Sequence, residues 1–312
     1  MYSNSDAIKI FCSRLCAGEN TAPLETREWG DLCSLMIDKG LQPFELLDFS
    51  ERNFNNVLGL SENYAQRLIK LADRRGKLFA EIEKLENNGV TVLTRADKEF
   101  PENLKKNLGN MCPPVLYCMG DISLLSGKYA GFTGSRRAEE KDEAFTRLMV
   151  RKTAANGYGV VSGGARGVDA FAEDEGVKIG CGVLEFPSEG ILRRLRSEKV
   201  FCAVQDGALL LLSAALPYAP FNSAYAIMRN RYIYAQSSGT VVVRSDLGKG
   251  GTWAGATDNL KHGFCAEFCR SVAEYAGNAA LIKRGAIPID EAFQGNLEDY
   301  AAVSADNQLS MF

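Results

Sequence analysis

Two stretches decide how the chain is read: Tyr129-Ala130-Gly131-Phe132-Thr133-Gly134-Ser135-Arg136, and Tyr158-Gly159-Val160-Val161-Ser162-Gly163-Gly164-Ala165-Arg166-Gly167-Val168-Asp169. Each begins as a short apolar run with β-prone residues and ends in a glycine-containing loop that leads into a helical pattern. The spacing predicts strands over residues 129–132 and 158–161, with an amphipathic helix over 140–155 between them. The alternation continues downstream: helix 168–175, strand 182–186, basic helix 189–198, buried strand 208–213, helix 223–235 and strand 240–244. Lys249-Gly250-Gly251-Thr252 then opens a helix that runs to about residue 261. Alternating β and α units imply an α/β fold built on a doubly wound, mostly parallel sheet.

Upstream the texture differs. Apolar residues recur at helical spacing over 24–39 and 41–48, and again at Phe54, Val57 and Leu58. Leu68, Leu71, Leu78, Ile82 and Leu85 keep a period near 3.6 through residues 62–85. This predicts a small helical N-terminal domain, SAM-like or helix-hairpin-helix-like, over residues 1–87. Asn87-Asn88-Gly89 ends it, and short strands are expected over 90–94 and 115–119. Residues 289–312 are acidic and without periodicity, which predicts a flexible tail. The expected domains are therefore 1–87, 88–288 and 289–312.

The 312 residues carry 36 Lys+Arg against 39 Asp+Glu, a net charge of −3, with 46% hydrophobic residues. This suits a soluble globular chain of one large or two modest domains. The single His262 rules out paired histidine metal ligands and leaves little room for a Ser-His-Asp triad. Nine cysteines without a Cys-x-x-Cys pair argue against a zinc ribbon or a disulfide framework. They suit buried thiols in a reducing compartment. The first ten residues lack the apolar core of a signal peptide, and the longest purely apolar run, 208–212, is too short to span a bilayer. A cytoplasmic protein, without metal or cofactor, is expected. The net charge alone disfavours a nucleic-acid partner, but it is unevenly placed. Residues 1–120 sum to −2, residues 121–285 to +4 and residues 286–312 to −5, so the glycine loops lie in a basic region.

Ligands of open α/β sheets sit at the carboxyl ends of the strands. Three strand-to-helix loops have the composition for an anion there. Gly134-Ser135-Arg136 offers close backbone approach, a hydroxyl and a guanidinium. Residues 162–169 offer backbone N–H groups at a helix start. Lys249-Gly250-Gly251-Thr252 repeats the pattern. A single loop of this kind is often only a tight turn; three on one sheet edge, each with Arg or Lys, point to binding. GxGxxG is absent after the first strand and GxxxxGK[ST] is absent throughout, so NAD and P-loop chemistry lose support. Arg229-Asn230-Arg231 lies in an apolar stretch, so its charges should be paired, for example with Asp169, or face a ligand.

Together these segments resemble the DNA-processing protein A family (DprA, also called Smf). The resemblance rests on Gly134-Ser135-Arg136, on the run from Ser162 to Ala172, on Arg229-Asn230-Arg231-Tyr232-Ile233 and on Gly250-Gly251-Thr252-Trp253, in that order. Leu93-Thr94-Arg95, Phe100-Pro101, Pro113-Pro114-Val115-Leu116-Tyr117 and Gly120-Asp121 are similar to the family's lead-in, and residues 278–286 to its closing helix. The chain departs from the pattern at Glu173, where the family often has His, and at Glu185-Phe186-Pro187, and a member without the winged-helix extension of many relatives is expected. It therefore resembles a divergent branch.

The resemblance implies a Rossmann-like sheet preceded by the helical domain. It also implies a recombination mediator rather than an enzyme: a single-stranded DNA binder that forms homodimers and helps load a RecA-type recombinase. By residue match, Arg136, Arg166 and Lys249 would contact phosphates. Ser135, Gly163, Gly164 and Gly251 would allow close approach, and Gly134, Ser162, Gly167, Gly250 and Thr252 complete the loops. Arg229, Asn230 and Arg231 would line the same groove, and Asp169 would organise loop N–H groups or an arginine. Arg193, Arg194, Arg196 and Lys199 either extend the DNA path or form a solvated face.

The chain ends Gln308-Leu309-Ser310-Met311-Phe312, similar to the QLxLF peptide by which bacterial proteins dock on the β sliding clamp. Apolar anchors at Leu309, Met311 and Phe312 beside the Gln308 amide suit such a groove; an idle tail is the plain alternative. The rival function is a Rossmann-like nucleotide sensor, or a nucleotide hydrolase related to the lonely-guy enzymes. Those hydrolases carry PGGxGTxxE with a catalytic Glu. Residues 250–255 have none at that place, which disfavours hydrolysis and leaves a sensor open. A structural adaptor using the helical front end is the third reading.

Overall fold

The computed structural model describes residues 2–17, 21–294 and 296–299. The chain divides into two compact units, Met1–Phe100 with Gly109–Cys118 and Pro101–Leu108 with Met119–Phe312. The first unit contains α1 (Asn4–Cys12), α2 (Thr26–Asp38), α3 (Glu51–Leu58), α4 (Glu62–Asp73) and α5 (Arg75–Asn87), followed by the neighbouring strands β1 (Val90–Thr94) and β2 (Val115–Met119). Ser3 and Ser50 cap α1 and α3, each closed into a capping box by the residue three positions on, Asp6 and Asn53. The buried faces meet around Phe11, Trp29, Leu32, Leu68 and Leu71, with Phe11 and Trp29 stacked at 6.4 Å.

The periodic run over 62–85 is not one helix; it breaks at Arg74. The Arg74 guanidinium turns inward and donates to the carbonyls of Ile10 and Ser13 at 2.6 Å each and of Leu15 at 2.8 Å. Carbonyls at and beyond the end of α1 are thereby satisfied. Arg74→Ala removes all three charged bonds and should lower the unfolding free energy by about 2–4 kcal/mol. The urea midpoint measures this, and an unchanged midpoint would contradict it. β1 and β2 lie in this unit, although the sequence places the boundary after residue 87. The Tyr117 and Ser13 hydroxyls bond at 3.0 Å, and Arg95 N–H donates to the Pro114 carbonyl at 3.2 Å.

The second unit runs α6 (Glu102–Leu108), β3 (Lys128–Thr133), α7 (Glu140–Ala154), β4 (Tyr158–Ser162), α8 (Val168–Ile179), β5 (Val183–Glu185), α9 (Ile191–Arg194), α10 (Glu198–Gln205), β6 (Leu209–Ser213), α11 (Ser223–Gln236), β7 (Gly239–Val242), α12 (Gly250–His262), β8 (Ala266–Arg270), α13 (Ala276–Lys283) and β9 (Ile287–Ile289). Its strands are ordered β6-β5-β4-β3-β7-β8-β9, and all pairs are parallel. Every residue of β4, β5 and β6 is buried. A sheet covered on both faces requires such continuous apolar strands. The doubly wound α/β sheet is therefore the fold of this unit.

Strand order reverses at β3: β4, β5 and β6 follow to one side, while β7, β8 and β9 lie on the other. Right-handed crossovers then place α7 and α8 on one face and α11 and α12 on the opposite one. The loops leaving β3 and β7 part in opposite directions and open a crevice at the carboxyl ends of those strands.

Two local expectations change. The basic helix over 189–198 is instead two pieces, α9 and α10. Arg194 turns in to the buried Glu185 at the end of β5, with Nη2 to Oε2 at 3.0 Å. It is thus committed to an ion pair with a buried carboxylate. The acidic segment after 289, expected to be free, packs back as far as it is described. Phe293 and Leu297 are buried, Arg270 pairs with Glu291 at 3.0 Å and Lys128 pairs with Glu298 at 3.1 Å. Gln308, Leu309, Met311 and Phe312 lie outside the described residues. No cysteine among the described residues is in a disulfide, and no described helix is long and apolar enough to cross a membrane.

Candidate nucleic-acid interface

The crevice at the strand-order reversal has a volume of about 550 Å³. Its walls are the loop after β3 with Gly134, Ser135 and Arg136, the start of α8 at Asp169, α11 with Arg229 and Asn230, and the start of α12 from Lys249 to Thr252. Segments separated by more than a hundred residues are thereby brought to one place. The Ser135 hydroxyl accepts the Arg137 N–H at 3.0 Å, which turns the loop so that Arg136 and Arg137 are both exposed. Asn230 Nδ2 donates to the Gly251 carbonyl at 3.2 Å and ties α11 to the third loop. Lys249 is the N-cap of α12 and makes no side-chain cap bond. The first N–H groups of that helix are thus available to an anion.

Five basic side chains line the crevice, namely Arg136, Arg137, Arg229, Arg244 and Lys249, against the two carboxylates Asp169 and Asp246. The surplus makes it attractive to phosphate. Arg136, Arg137 and Lys249 form no ion pair among the described residues. Arg244 is committed: Nη1 lies 2.7 Å from Glu139 and 3.2 Å from Asp142. Asp142 is fully buried and also receives Arg270 at 3.1 Å. Burial pushes its carboxyl up, but the bonds from the Glu139 N–H, Tyr275 and Arg244 outweigh that and hold it below the usual range.

Arg229 is only 3% exposed and forms the floor, donating to the Gly163 carbonyl at 2.8 Å. Gly163 has no side chain because Arg229 fills that space: a Cβ there would overlap the guanidinium. Burial lowers the Arg229 pKa, opposed first by Asp169. Burial likewise pushes Asp169 up to about 6 against the pull of Arg229.

The second loop differs from the sequence-based expectation of open backbone donors. Gly164 N–H donates to Glu173 Oε1 at 2.8 Å, and Ala165 N–H donates to Asp169 at 3.4 Å. These donors are used internally. Ser162 is buried, with its hydroxyl on the Phe132 carbonyl at 3.0 Å. Gly167, at φ 81°, packs against the Ser135 carbonyl, a conformation and a closeness that only glycine takes easily. Arg166 is exposed but is not part of the crevice wall. Arg231 pairs with Asp258 at 2.6 Å. Sequence reasoning missed Phe221 and Ile227, 53% and 54% exposed on the crevice wall. A signal existed in Pro217-Tyr218-Ala219-Pro220-Phe221, where each of two prolines is followed by an aromatic. Among the described residues no group of three His, Cys, Asp or Glu side chains is placed to hold a metal.

A doubly wound sheet with a basic crevice where its strand order reverses defines a Rossmann-like α/β protein. The chain belongs to the DNA recombination-mediator protein A family, whose model matches residues 91–298. Protein Smf of Synechocystis sp. is 26% identical over 152 residues, covering 46% of this chain and 38% of its own length. DNA processing protein DprA of Bacillus subtilis is 25% identical over 170 residues, covering 54% of this chain and 57% of its own length. The chain thus matches less than two thirds of either relative. The structure of DprA from Streptococcus pneumoniae superposes with a TM-score of 0.65 at 18% identity, covering 90% of this chain and 98% of that one. DNA processing protein A from Helicobacter pylori, whose structure addresses its single-stranded DNA binding mode, gives 0.54 at 24% identity, covering 70% and 96%. At these identities the superpositions show a shared fold.

Proposed function

We propose that the crevice holds the phosphodiester backbone of single-stranded DNA, and that the chain acts as a recombination mediator binding strands without reading their sequence. The observation that carries this reading is the convergence of Arg136, Arg137 and Lys249, all exposed, beside the exposed Phe221 and Ile227 on one crevice. Basic groups track the backbone, while an aromatic face takes bases that only a single strand leaves unstacked. Family membership and the single-strand binding of the H. pylori relative support the same reading. No catalytic residue is assigned. Homodimer formation, loading of a RecA-type recombinase and docking of Gln308, Leu309, Met311 and Phe312 on a β sliding clamp extend this reading on the resemblance.

The test is a fluorescence-anisotropy titration with an oligo-dT strand, a duplex of equal length and a nucleotide panel. The single strand should bind tightest. Phe221→Ala should weaken it by about 1–3 kcal/mol, or about five- to a hundredfold, if one base stacks there. Binding of a mononucleotide in preference to the strand would select a nucleotide sensor, which the crevice volume of about 550 Å³ also suits.

A further inference from the structure

Beneath the crevice lies a cluster of charge that phosphate binding does not by itself require. Asp169 and Glu173 lie one turn apart on α8, and Glu185 ends β5; they are 7%, 6% and 0% exposed. Two guanidiniums face them. Arg194 from α9 binds Glu185, with Nη2 at 3.0 Å, and lies 3.9 Å from Glu173. Arg229 from α11 lies beside Asp169. Three largely buried carboxylates thus share two counter-charges. An unbalanced buried charge is costly, and the ordinary remedy is a proton. The other groups facing the cluster are Arg136 from the loop after β3, Glu189 beside Arg194, and the Tyr225 and Tyr234 phenols of α11. None of these supplies the missing positive charge inside: Arg136 is exposed, Glu189 adds a negative charge and the phenols are neutral.

The cluster is joined to the crevice covalently and by hydrogen bonds. Asp169 is part of the crevice wall. Its carboxylate accepts from Ala165, and that of Glu173 accepts from Gly164, both in the loop expected to meet phosphate. A phosphate seated beside Arg136 brings further negative charge to these carboxylates.

From this arrangement we infer that the Asp169–Glu173 pair, packed beside Glu185, takes up a proton from solvent when a phosphodiester is seated in the crevice, so that DNA binding is coupled to proton uptake and tightens on acidification. The inference rests on the reading of the crevice as a phosphate site. The sign follows from linkage: an anion nearby raises the affinity of a carboxylate for its proton, so the complex binds more protons than the free protein, and affinity rises as pH falls. Burial lifts Asp169 to about 6, and a nearby anion lifts it further, which places its change between about pH 6 and neutrality; burial raises Glu173 as well.

The experiment titrates oligo-dT into wild type, Asp169→Asn and Glu173→Gln from about pH 5.5 to about pH 8.5 at fixed salt, and measures binding heats in buffers of different ionisation enthalpy. Both variants keep an oxygen for the loop N–H and lose the charge. Wild type should tighten about tenfold more than either variant across that range, as one unit of pKa change on binding requires, with net proton uptake in the calorimeter. Parallel pH profiles together with buffer-independent heats would overturn the inference while leaving single-strand binding intact. Absence of binding at every pH would instead overturn the proposed function, and the coupling with it. If one variant fails to fold, the other carries the comparison, and the wild-type heats need neither.

Discussion

Replacing Arg136 and Lys249 together by Ala should weaken single-strand binding about a hundredfold at about 0.1 M salt, with the thermal unfolding temperature unchanged. Each side chain is exposed and forms no ion pair among the described residues, so its loss leaves no buried partner behind. A charge-assisted bond to phosphate is worth about 1.5 kcal/mol or more, about tenfold for each side chain. The two lie on different loops, after β3 and at the start of α12, so their contributions should be nearly additive. Anisotropy with a labelled strand measures the loss. Wild-type affinity in the folded double variant would remove these two residues from the binding surface.

Gly163→Ala should damage folding and binding together. The added methyl would overlap the Arg229 guanidinium, and Arg229 is too deeply enclosed, at 3% exposed, to step aside. Displacing it breaks its bond to the Gly163 carbonyl and strips Asp169 of its nearest counter-charge. Losing that bond and leaving a buried guanidinium without its acceptor costs about 1–3 kcal/mol. The chemical-denaturation midpoint should fall by a corresponding amount, and single-strand affinity should fall with it because the crevice floor is rebuilt. A variant as stable as wild type would show that the floor can repack around the methyl.

Much of the sheet was legible because its strands are covered on both faces and read as unbroken apolar runs. Residues 90–94 and 115–119 match β1 and β2, and the strands read at 129–132 and 158–161 lie within β3 and β4. β8 was not legible. Its second residue is Glu267, a carboxyl only 3% exposed that burial pushes up to about 8 and that Asn259 holds at 3.1 Å. In sequence, a neutral buried acid looks like a surface residue. The 189–198 segment misled for a related reason. Its run of bases suggested one solvated helix, but Arg194 is drawn inward by Glu185, which is far from it only along the extended chain. The three glycine loops were visible as motifs, and the structure gathers all three on one crevice, the second through Ala165 and Asp169. What a motif cannot show is which N–H groups are already taken. The second loop's donors go to Glu173 and Asp169, a choice made by the first turns of α8. Phe221 was missed because one aromatic beside prolines gains meaning only once the crevice exists.

The most direct test of the central claim is the salt dependence of oligo-dT binding by the intact chain. Three exposed bases at the crevice, Arg136, Arg137 and Lys249, predict that log affinity falls linearly with log salt with a slope of about −2. In Arg136→Ala that slope should become shallower by about 0.7. A slope near zero, or one that Arg136→Ala leaves unchanged, would contradict the assignment of the crevice as the phosphate-binding surface.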